Sequence, residues 1–373
     1  MKIKPLPLKR IEEQLNQTLR PELAQTWDNV GLLAGDPNRS VGRVLLCIDL
    51  MPAVCREAVA RKAQLVLAYH PPIFEPLKSV RADRHVIYQA IRSDLAVYAI
   101  HTALDVLPGG TSDTLADLVG LADRAPIEPI APPATSGKSK LVVFVPRKAQ
   151  HLEKVSLAIF RAGAGHIGEY SCCSFLSSGH GTFMGSDKSH PTIGKPGQFE
   201  TVEEMRMEVL VENTRLPAVV RAMRAAHPYE EPAYDVYPLA QATGEDLGLG
   251  RVGTLRRPAD LKTIADRIRK HSGLKHLQLA DGGKKKLFRA AVGPGSCGSM
   301  LEKLAGKIDL FVTGEIRHHT ALAAVHAGTS VICLGHGNSE RIALPALQTR
   351  LKQTLPNLDF LLSRSDADPL VAV

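Results

Sequence analysis

The chain of 373 residues is 44% hydrophobic and 23% charged, a composition typical of a globular protein with about two or three domains. No apolar run approaches the roughly 20 residues of a membrane-spanning helix, and segment 1–10 lacks an apolar signal core, so we expect neither membrane insertion nor export. The net charge of +8 permits nucleic-acid binding without requiring it, and the six cysteines show no pairing pattern, which favours reduced thiols in the cytoplasm.

The first third of the chain alternates between predicted strands and helices. Buried-strand patterns cover 44–48, 64–69 and 95–100, and helical patterns cover 53–62 and 84–93. This alternation predicts a parallel or mostly parallel sheet with right-handed crossovers.

The single tryptophan of the chain, Trp27, precedes Asp28 and Asn29 in a segment punctuated by glycines. Two interpretations are open at this point. Trp27 is either a packed side chain that anchors a loop, or one wall of a pocket that carries two polar groups.

A different pattern occupies the middle of the chain. Segment 125–140 is rich in proline and predicts a linker, and Thr243-Gly244-Glu245 predicts a second one. Between them the predicted order is β-α-β-β-α-β, with a hairpin of 167–175 and 179–184, which is typical of a ferredoxin-like unit. The turn His227-Pro228-Tyr229-Glu230-Glu231-Pro232 is either a rigid connection, which we favour, or a ligand site. We therefore predict a split α/β metal-binding domain, 1–130 and 246–373, interrupted by an inserted α+β domain at 138–242.

Strand–helix alternation resumes after the second linker. The glycine-rich run 293–298 lies between a predicted strand and a helix, so it is either a tight turn or a phosphate-binding loop. The apolar run 330–334 predicts a buried strand, followed by a glycine turn and a helix from about Ser339. If that helix starts early enough, His336 and Glu340 project from one side of it.

Four polar side chains lie just beyond the C-terminal ends of predicted strands. They are His70, Asp105, Glu315 and His336. Ligands of open α/β sheets gather beyond the carboxyl ends of the strands, and imidazole with carboxylate suits a divalent metal, so the four clusters predict a metal site. Zinc, manganese, iron and nickel are not distinguished, and any of them would lower the pKa of a bound water.

A second pattern starts at the third of these positions. Glu315 precedes His318 and His319 by three and four residues, so the three could share one helix face. Alternatively, they orient ligands that come from other loops.

Five motifs together resemble the NGG-interacting factor three family, whose members are also labelled GTP cyclohydrolase 1 type 2 homologues. They occur in the family's order and span nearly the whole chain: Trp27-Asp28-Asn29-Val30-Gly31-Leu32, Tyr69-His70-Pro71-Pro72-Ile73-Phe74, His101-Thr102-x-Leu104-Asp105, Gly314-Glu315-x-x-His318-His319 and Gly335-His336-x-x-Ser339-Glu340. The middle segment looks like the insert of the longer bacterial members, which is similar to PII and CutA domains.

The resemblance implies a homohexamer with a dinuclear divalent-metal site. The matching ligand positions are His70, Asp105, His336 and Glu340, while Trp27, Asp28, Asn29, Tyr69 and His101 match the surrounding pocket. Glu315, His318 and His319 match a motif to which we assign an orienting or proton-transfer role in catalysis. Many members have histidine at the position of Tyr69, and a phenol is a poorer ligand at neutral pH, so we expect one or two metal ions per chain.

The resemblance also implies a reaction, the hydrolytic opening of the guanine imidazole ring of GTP. The first hypothesis is therefore a metal-dependent hydrolase of a nucleotide or related small molecule. The second is a non-catalytic metal-binding scaffold or regulator that contacts DNA or a protein partner, with which the basic charge is compatible.

Overall fold

The computed structural model describes residues 4–130, 137–239 and 247–370. The chain divides into two compact units. We call the one formed by Met1–Ala131 with Glu245–Val373 the split unit, and the one formed by Pro132–Gly244 the second unit. The predicted linker 125–140 lies partly outside the described residues, and the predicted linker Thr243-Gly244-Glu245 lies wholly outside them. None of the helices in the described ranges is long and apolar enough to cross a membrane.

The elements are numbered in chain order. The first part of the split unit contains β1 (Leu6–Pro7), α1 (Leu8–Leu19), β2 (Gly31–Ala34), β3 (Ser40–Val41), β4 (Arg43–Cys47), α2 (Pro52–Ala60), β5 (Leu65–Ala68), α3 (Val86–Arg92), β6 (Ala96–Ala99), α4 (His101–Val106), α5 (Thr111–Val119), β7 (Leu121–Ala125) and β8 (Glu128–Pro129). The second unit contains β9 (Lys138–Pro146), α6 (Ala149–Arg161), β10 (Ser174–Met184), β11 (Phe199–Glu212), α7 (Leu216–Ala226) and β12 (Tyr234–Pro238). The remainder of the split unit contains β13 (Gly248–Leu249), β14 (Arg251–Ala259), α8 (Leu261–Ser272), β15 (Gln278–Ala280), β16 (Leu287–Ser296), α9 (Gly298–Leu304), β17 (Leu310–Glu315), α10 (His318–His326), β18 (Ser330–Cys333), α11 (His336–Arg341), α12 (Leu344–Thr354) and β19 (Asp359–Leu362).

The split unit contains two larger sheets of mixed direction. The five-stranded sheet has the order β19-β4-β5-β6-β2, and only the β2–β6 pair is antiparallel. The six-stranded sheet has the order β15-β18-β17-β16-β14-β7, in which only β16–β17 and β17–β18 are parallel. The prediction of one mostly parallel sheet was therefore too simple. In the six-stranded sheet, β14 runs antiparallel to both of its neighbours, β16 and β7, and β15 runs antiparallel to β18.

The central strands could be predicted from sequence because nearly all of their residues are buried. All residues of β4 except Arg43, and all residues of β5, β6 and β18, are buried. Strands that are covered on both faces read as continuous apolar runs. Helices α1 and α12 contribute to the core around β4, β5 and β6, while α5 and α8 contribute to the core around β16, β17 and β18.

The second unit folds as a four-stranded antiparallel sheet in the order β10-β11-β9-β12. The predicted hairpin of 167–175 with 179–184 is wrong. Segment Ser174–Met184 is one strand, and it pairs along its whole length with Phe199–Glu212. The many small residues of β10, two glycines among them, resemble a turn in sequence, so the strand was read as two shorter pieces.

A buried ion pair joins the two halves of the split unit. Arg251 is 1% exposed, and its Nε and Nη2 donate to the Asp113 carboxylate at 2.8 and 3.1 Å. Its Nη1 donates to the carbonyls of Gly248 and Gly250. The ion pair therefore links α5 in the first half of the unit to β14 in the second half.

Replacing Asp113 with alanine should lower the free energy of unfolding by about 3–5 kcal/mol, because a buried guanidinium would lose its counter-charge. Asp117→Ala is the control. Its carboxylate also binds an arginine, at 2.6 Å from Arg124 Nη2, but its side chain is 64% exposed, so about 0–1 kcal/mol is expected. Urea unfolding of the two variants measures the difference, and equal losses would contradict it.

Candidate metal centre

Three side chains of the split unit converge on one point. Among the described residues, one ligand atom each from His70, His336 and Glu340 lies within 4.8 Å of the others. We call these residues the three-ligand cluster. The Nε2 atoms of His70 and His336 are each 3.3 Å from the Glu340 carboxylate, the first from Oε2 and the second from Oε1.

The backbone explains how residues so distant in sequence meet. His70 follows β5, and its N–H donates to the carbonyl of Ile48 beyond the neighbouring strand. His336 is the first residue of α11, and Glu340 lies one turn later on the same face. The helix was predicted to start at about Ser339 but starts at His336. Gly335, with φ at +92°, turns the chain directly into the helix.

The Nδ1 atom of each histidine in the cluster is hydrogen-bonded to a carboxylate outside the cluster. His70 Nδ1 is 3.0 Å from Asp49 Oδ1, and His336 Nδ1 is 2.9 Å from Glu315 Oε1. A carboxylate only accepts hydrogen bonds, so each Nδ1 is the donor. If the imidazole is neutral, its proton is on Nδ1, and the lone pair of Nε2 points towards Glu340. Lone pairs on both sides of the gap repel one another unless a cation lies between them.

The electrostatics of the cluster favour positive charge. Burial lowers the pKa of His70, but the hydrogen bond to Asp49 and the nearby Glu340 carboxylate outweigh it and raise the pKa to about 10. The hydrogen bond to Glu340 raises the pKa of His336 to about 9, against the effect of burial. Burial works against ionisation of Glu340, yet the two histidines hold its pKa below the ordinary value. The site therefore takes up a cation, whether protons or a metal ion.

Glu340 itself fits a metal ligand. It is 4% exposed, and Oε2 accepts no hydrogen bond of acceptable geometry from the described residues although His70 Nε2 is 3.3 Å away. A buried carboxylate oxygen without a donor is costly, and a metal ion would satisfy it. The donor set of two imidazoles and one carboxylate also matches that of many divalent-metal sites.

The glycine-rich run packs against this carboxylate. Gly295 has φ at +67°, and a Cβ there would lie 2.6 Å from Glu340 Oε1. Its N–H donates to Ser339 Oγ at 2.8 Å, and residues up to Ser296 belong to β16. The run is thus the end of a strand that fits closely against α11, and the Gly295 N–H is not free for a phosphate.

Asp105 lies outside the three-ligand cluster. The hydroxyl of Tyr69 donates to Asp105 Oδ1 at 2.5 Å, and Tyr69 is 1% exposed. Burial raises the pKa of Asp105 to about 6, with the charge of Glu340 adding to the rise and the Tyr69 bond opposing it. Asp105 is therefore near Glu340 but is engaged by a buried phenol.

The predicted pocket residues lie beside the cluster. His101 Nδ1 is 2.8 Å from Asp28 Oδ1, and the His101 ring centroid is 5.4 Å from that of His70. Trp27 is 57% exposed with its ring 5.9 Å from that of His101, which argues against a packed anchor. Asn29 Nδ2 donates to the carbonyl of Ile73 at 2.6 Å. His101 has φ at +27°, an unfavourable conformation that is retained where the chain enters α4.

Glu315, His318 and His319 do not share a helix face. Glu315 ends β17 and binds His336, whereas α10 begins only at His318. His318 and His319 are exposed and stack edge to face with centroids 5.5 Å apart. In the described part of the chain, no hydrogen bond connects either of them to the three-ligand cluster. Glu315 therefore contacts the imidazole of His336, which is the kind of contact that the alternative interpretation requires.

Sequence reasoning missed Asp49, the partner of His70. It lies just past β4, so the rule that found the other four clusters would also have found it. Phe74 was missed as a second aromatic wall, although it stands in a quoted motif. It is 51% exposed, and its ring lies 5.8 Å from that of Trp27.

Comparison with known proteins gives one consistent result. The sequence model of the family described as Duf34/NIF3 (NGG1p interacting factor 3) matches residues 6–369. The chain belongs to the Duf34/NIF3 family.

Relatives in this family match over nearly the whole chain. A protein of Halalkalibacterium halodurans named GTP cyclohydrolase 1 type 2 homolog is 41% identical over 342 residues, covering 91% of this chain and 90% of that protein. The Bacillus subtilis protein of the same name is 35% identical over 365 residues, covering 95% and 96%. The crystal structure of a Bacillus cereus protein related to NIF3 is similar with a TM-score of 0.77 and 33% identity, covering 100% of both chains.

Metal binding to the three-ligand cluster should release protons. Without metal the pKa values of His70 and His336 are about 10 and about 9, so at pH 7–8 both rings are protonated. A metal ion must displace these protons, so about one to two should leave per ion, and affinity should rise about 10- to 100-fold per pH unit. Calorimetric titration in two buffers of different ionisation enthalpy counts the protons. A pH-independent affinity would contradict the account.

Proposed function

We propose that this Duf34/NIF3 protein is a divalent-metal-dependent hydrolase that acts on a nucleotide or a related small molecule. The observation that carries the proposal is Glu340, a buried carboxylate with one oxygen lacking a hydrogen bond, facing two imidazole nitrogens that are fixed from behind. In this proposal His70, His336 and Glu340 hold one metal ion. When bound, the ion lowers the pKa of a water molecule towards neutrality.

The residues around the ion have separate tasks in the proposal. Asp49 and Glu315 orient the imidazole rings, a role that commonly affects metal affinity 10- to 100-fold. His101, whose Nδ1 is bound to Asp28, is the group that we assign to proton transfer at Nε2. His318 and His319 remain candidates for proton transfer whose contribution the turnover assay below measures.

The aromatic wall supports a planar substrate. Trp27 and Phe74 are both more than half exposed and lie next to His101. Stacking on such rings favours nucleobases of any sequence by about 1–3 kcal/mol each. The curated relatives are named for GTP cyclohydrolase, which is consistent with a purine nucleotide.

We infer that the second unit is an inserted ferredoxin-like domain. Its element order is β-α-β-β-α-β, and its sheet order, counted within the unit, is 2-3-1-4 with every pair antiparallel. Assembly into a homohexamer is carried over from the family resemblance as a proposal, which light scattering of the purified protein tests.

Turnover decides between a hydrolase and a metal-binding scaffold. Wild-type protein supplied with Mn²⁺ or Zn²⁺ should hydrolyse GTP or another member of a nucleotide panel, and His336→Ala should lose at least about 100-fold of the rate. His271→Ala is the control, because His271 is exposed and its one hydrogen bond among the described residues is to a backbone carbonyl of its own helix. His318→Ala and His319→Ala in the same assay report on proton transfer. Absence of metal-dependent turnover across the panel would contradict the hydrolase and favour the non-catalytic metal-binding scaffold.

A further inference from the structure

The second unit contains a cleft of about 700 Å³ that the proposed hydrolase function does not use. Helices α6 and α7 cover one face of the four-stranded sheet, where they pack on Val143, Val145 and Met207. Side chains alternate along a strand, so Phe144 and Arg206 point to the opposite face. The cleft lies on that opposite face, beneath the turn that carries Tyr229.

Two glycines leave space in the floor of the cleft. Gly179 of β10 pairs with Glu204 of β11, and nothing lies within 4 Å of the position that a Cβ on Gly179 would take. A Cβ on Gly181 would instead collide with the Glu204 carboxylate. The floor is therefore open next to one acidic side chain.

Hydrogen bonds fix the Tyr229 wall of the cleft before any ligand arrives. His227 is 7% exposed, and its Nε2 donates to the Phe144 carbonyl at 2.9 Å while its Nδ1 accepts from the Tyr229 N–H at 3.1 Å. The hydroxyl of Tyr229 donates to Glu204 Oε1 at 3.0 Å. Within the described residues no partner is recorded for Glu204 Oε2, which leaves an acceptor at the floor.

Charge selects against anionic ligands. Glu204, Glu230 and Glu231 line the cleft, and Glu231 Oε2 is 3.2 Å from Arg224 Nη2. The one lining guanidinium is also paired, because Arg206 Nη2 is 3.0 Å from Glu208 Oε1. A phosphate would therefore meet the carboxylates of Glu204 and Glu230, while the guanidinium in the lining is already occupied. A ring with N–H groups would instead find a carboxylate to donate to and aromatic faces to pack against.

We propose that this cleft binds a planar nitrogen heterocycle that carries two adjacent N–H donors and no phosphate, as on the amino–imino edge of guanine or of a pterin. The ring packs between Phe144 and Tyr229 above the glycine floor. Its paired N–H groups donate to the Glu204 carboxylate. All residues of the cleft belong to the second unit, and the proposed binding does not depend on metal.

Calorimetry of the full chain in the presence of a chelator tests this proposal with three probes. Guanosine should bind at least about 10-fold more tightly than inosine, which lacks the amino group, and more tightly than GMP, which adds a phosphate. Gly179→Val fills the open floor with a side chain that suits a strand, and Glu204→Gln removes the charge, so each should weaken guanosine binding at least about 10-fold. Glu153→Gln, the same chemical change on the exposed surface of α6, should leave it unchanged.

Three results would overturn the proposal. The first is the absence of guanosine binding at millimolar concentration, and the second is equal binding of guanosine and inosine. The third is binding that survives both cleft variants but is lost in Glu340→Gln, which would assign guanosine to the split unit. Because the chelated protein and Glu340→Gln are expected to keep the cleft intact, failure of the hydrolase proposal and failure of this one are distinguishable.

Discussion

Glu340→Gln should weaken metal binding by at least about 100-fold, the largest single effect that the structure predicts at the candidate centre. Glutamine keeps the size of the side chain but removes the charge between His70 and His336, whose Nε2 atoms are each 3.3 Å from the carboxylate. Loss of an orienting partner alone commonly costs 10- to 100-fold, so loss of a charged ligand should cost more.

Titration calorimetry with Zn²⁺ or Mn²⁺ at pH 8 measures this effect. His319→Ala is the matched control, because His319 is an exposed imidazole of the same unit with no hydrogen bond to the three-ligand cluster among the described residues. Its affinity should equal that of the wild type. Tight binding by Glu340→Gln would mean that the metal is held elsewhere.

Tyr69→His should raise the metal content from one ion per chain to two. In the wild type the Tyr69 hydroxyl donates to Asp105, and burial together with the Asp105 charge raises the pKa of the phenol well above its ordinary value of about 10. The hydroxyl therefore stays protonated and does not act as an anionic ligand. An imidazole at this position would offer a lone pair next to Asp105 and Glu340, which is the set that a second ion needs.

Tyr69→Phe provides the comparison, since it frees Asp105 without adding a ligand and should still hold one ion. Metal analysis of the three proteins after equilibration with excess Zn²⁺ and gel filtration gives the stoichiometries. Two ions per chain in the wild type would show that the phenol is no barrier to the second site.

The sequence located the candidate centre because its residues obey a general rule of α/β sheets. His70 and His336 follow strands that are buried on both faces, and such strands are legible as apolar runs. Glu340 was legible from its spacing to His336. The sequence left open whether His336 and Glu340 lie in the same helix. They do, because Gly335 starts α11 directly at His336.

The errors arose where tertiary pairing outweighs local pattern. Segment 174–184 contains small residues typical of turns, yet it forms one long strand because Phe199–Glu212 pairs with all of it. Glu315 and His318 have helical spacing, but β17 continues through Glu315 in register with Ser296. Asp49 follows a readable strand, but its contact with His70 is a tertiary one that no local pattern specifies.

Anomalous diffraction from crystals soaked in Zn²⁺, recorded at the zinc absorption edge, tests the central claim most directly. The account predicts one strong peak per chain, about 2.0–2.3 Å from His70 Nε2, His336 Nε2 and a Glu340 carboxylate oxygen, and its loss in Glu340→Gln crystals. A soaked wild-type crystal with no peak at these three atoms, or with its strongest peak on other residues, would contradict it.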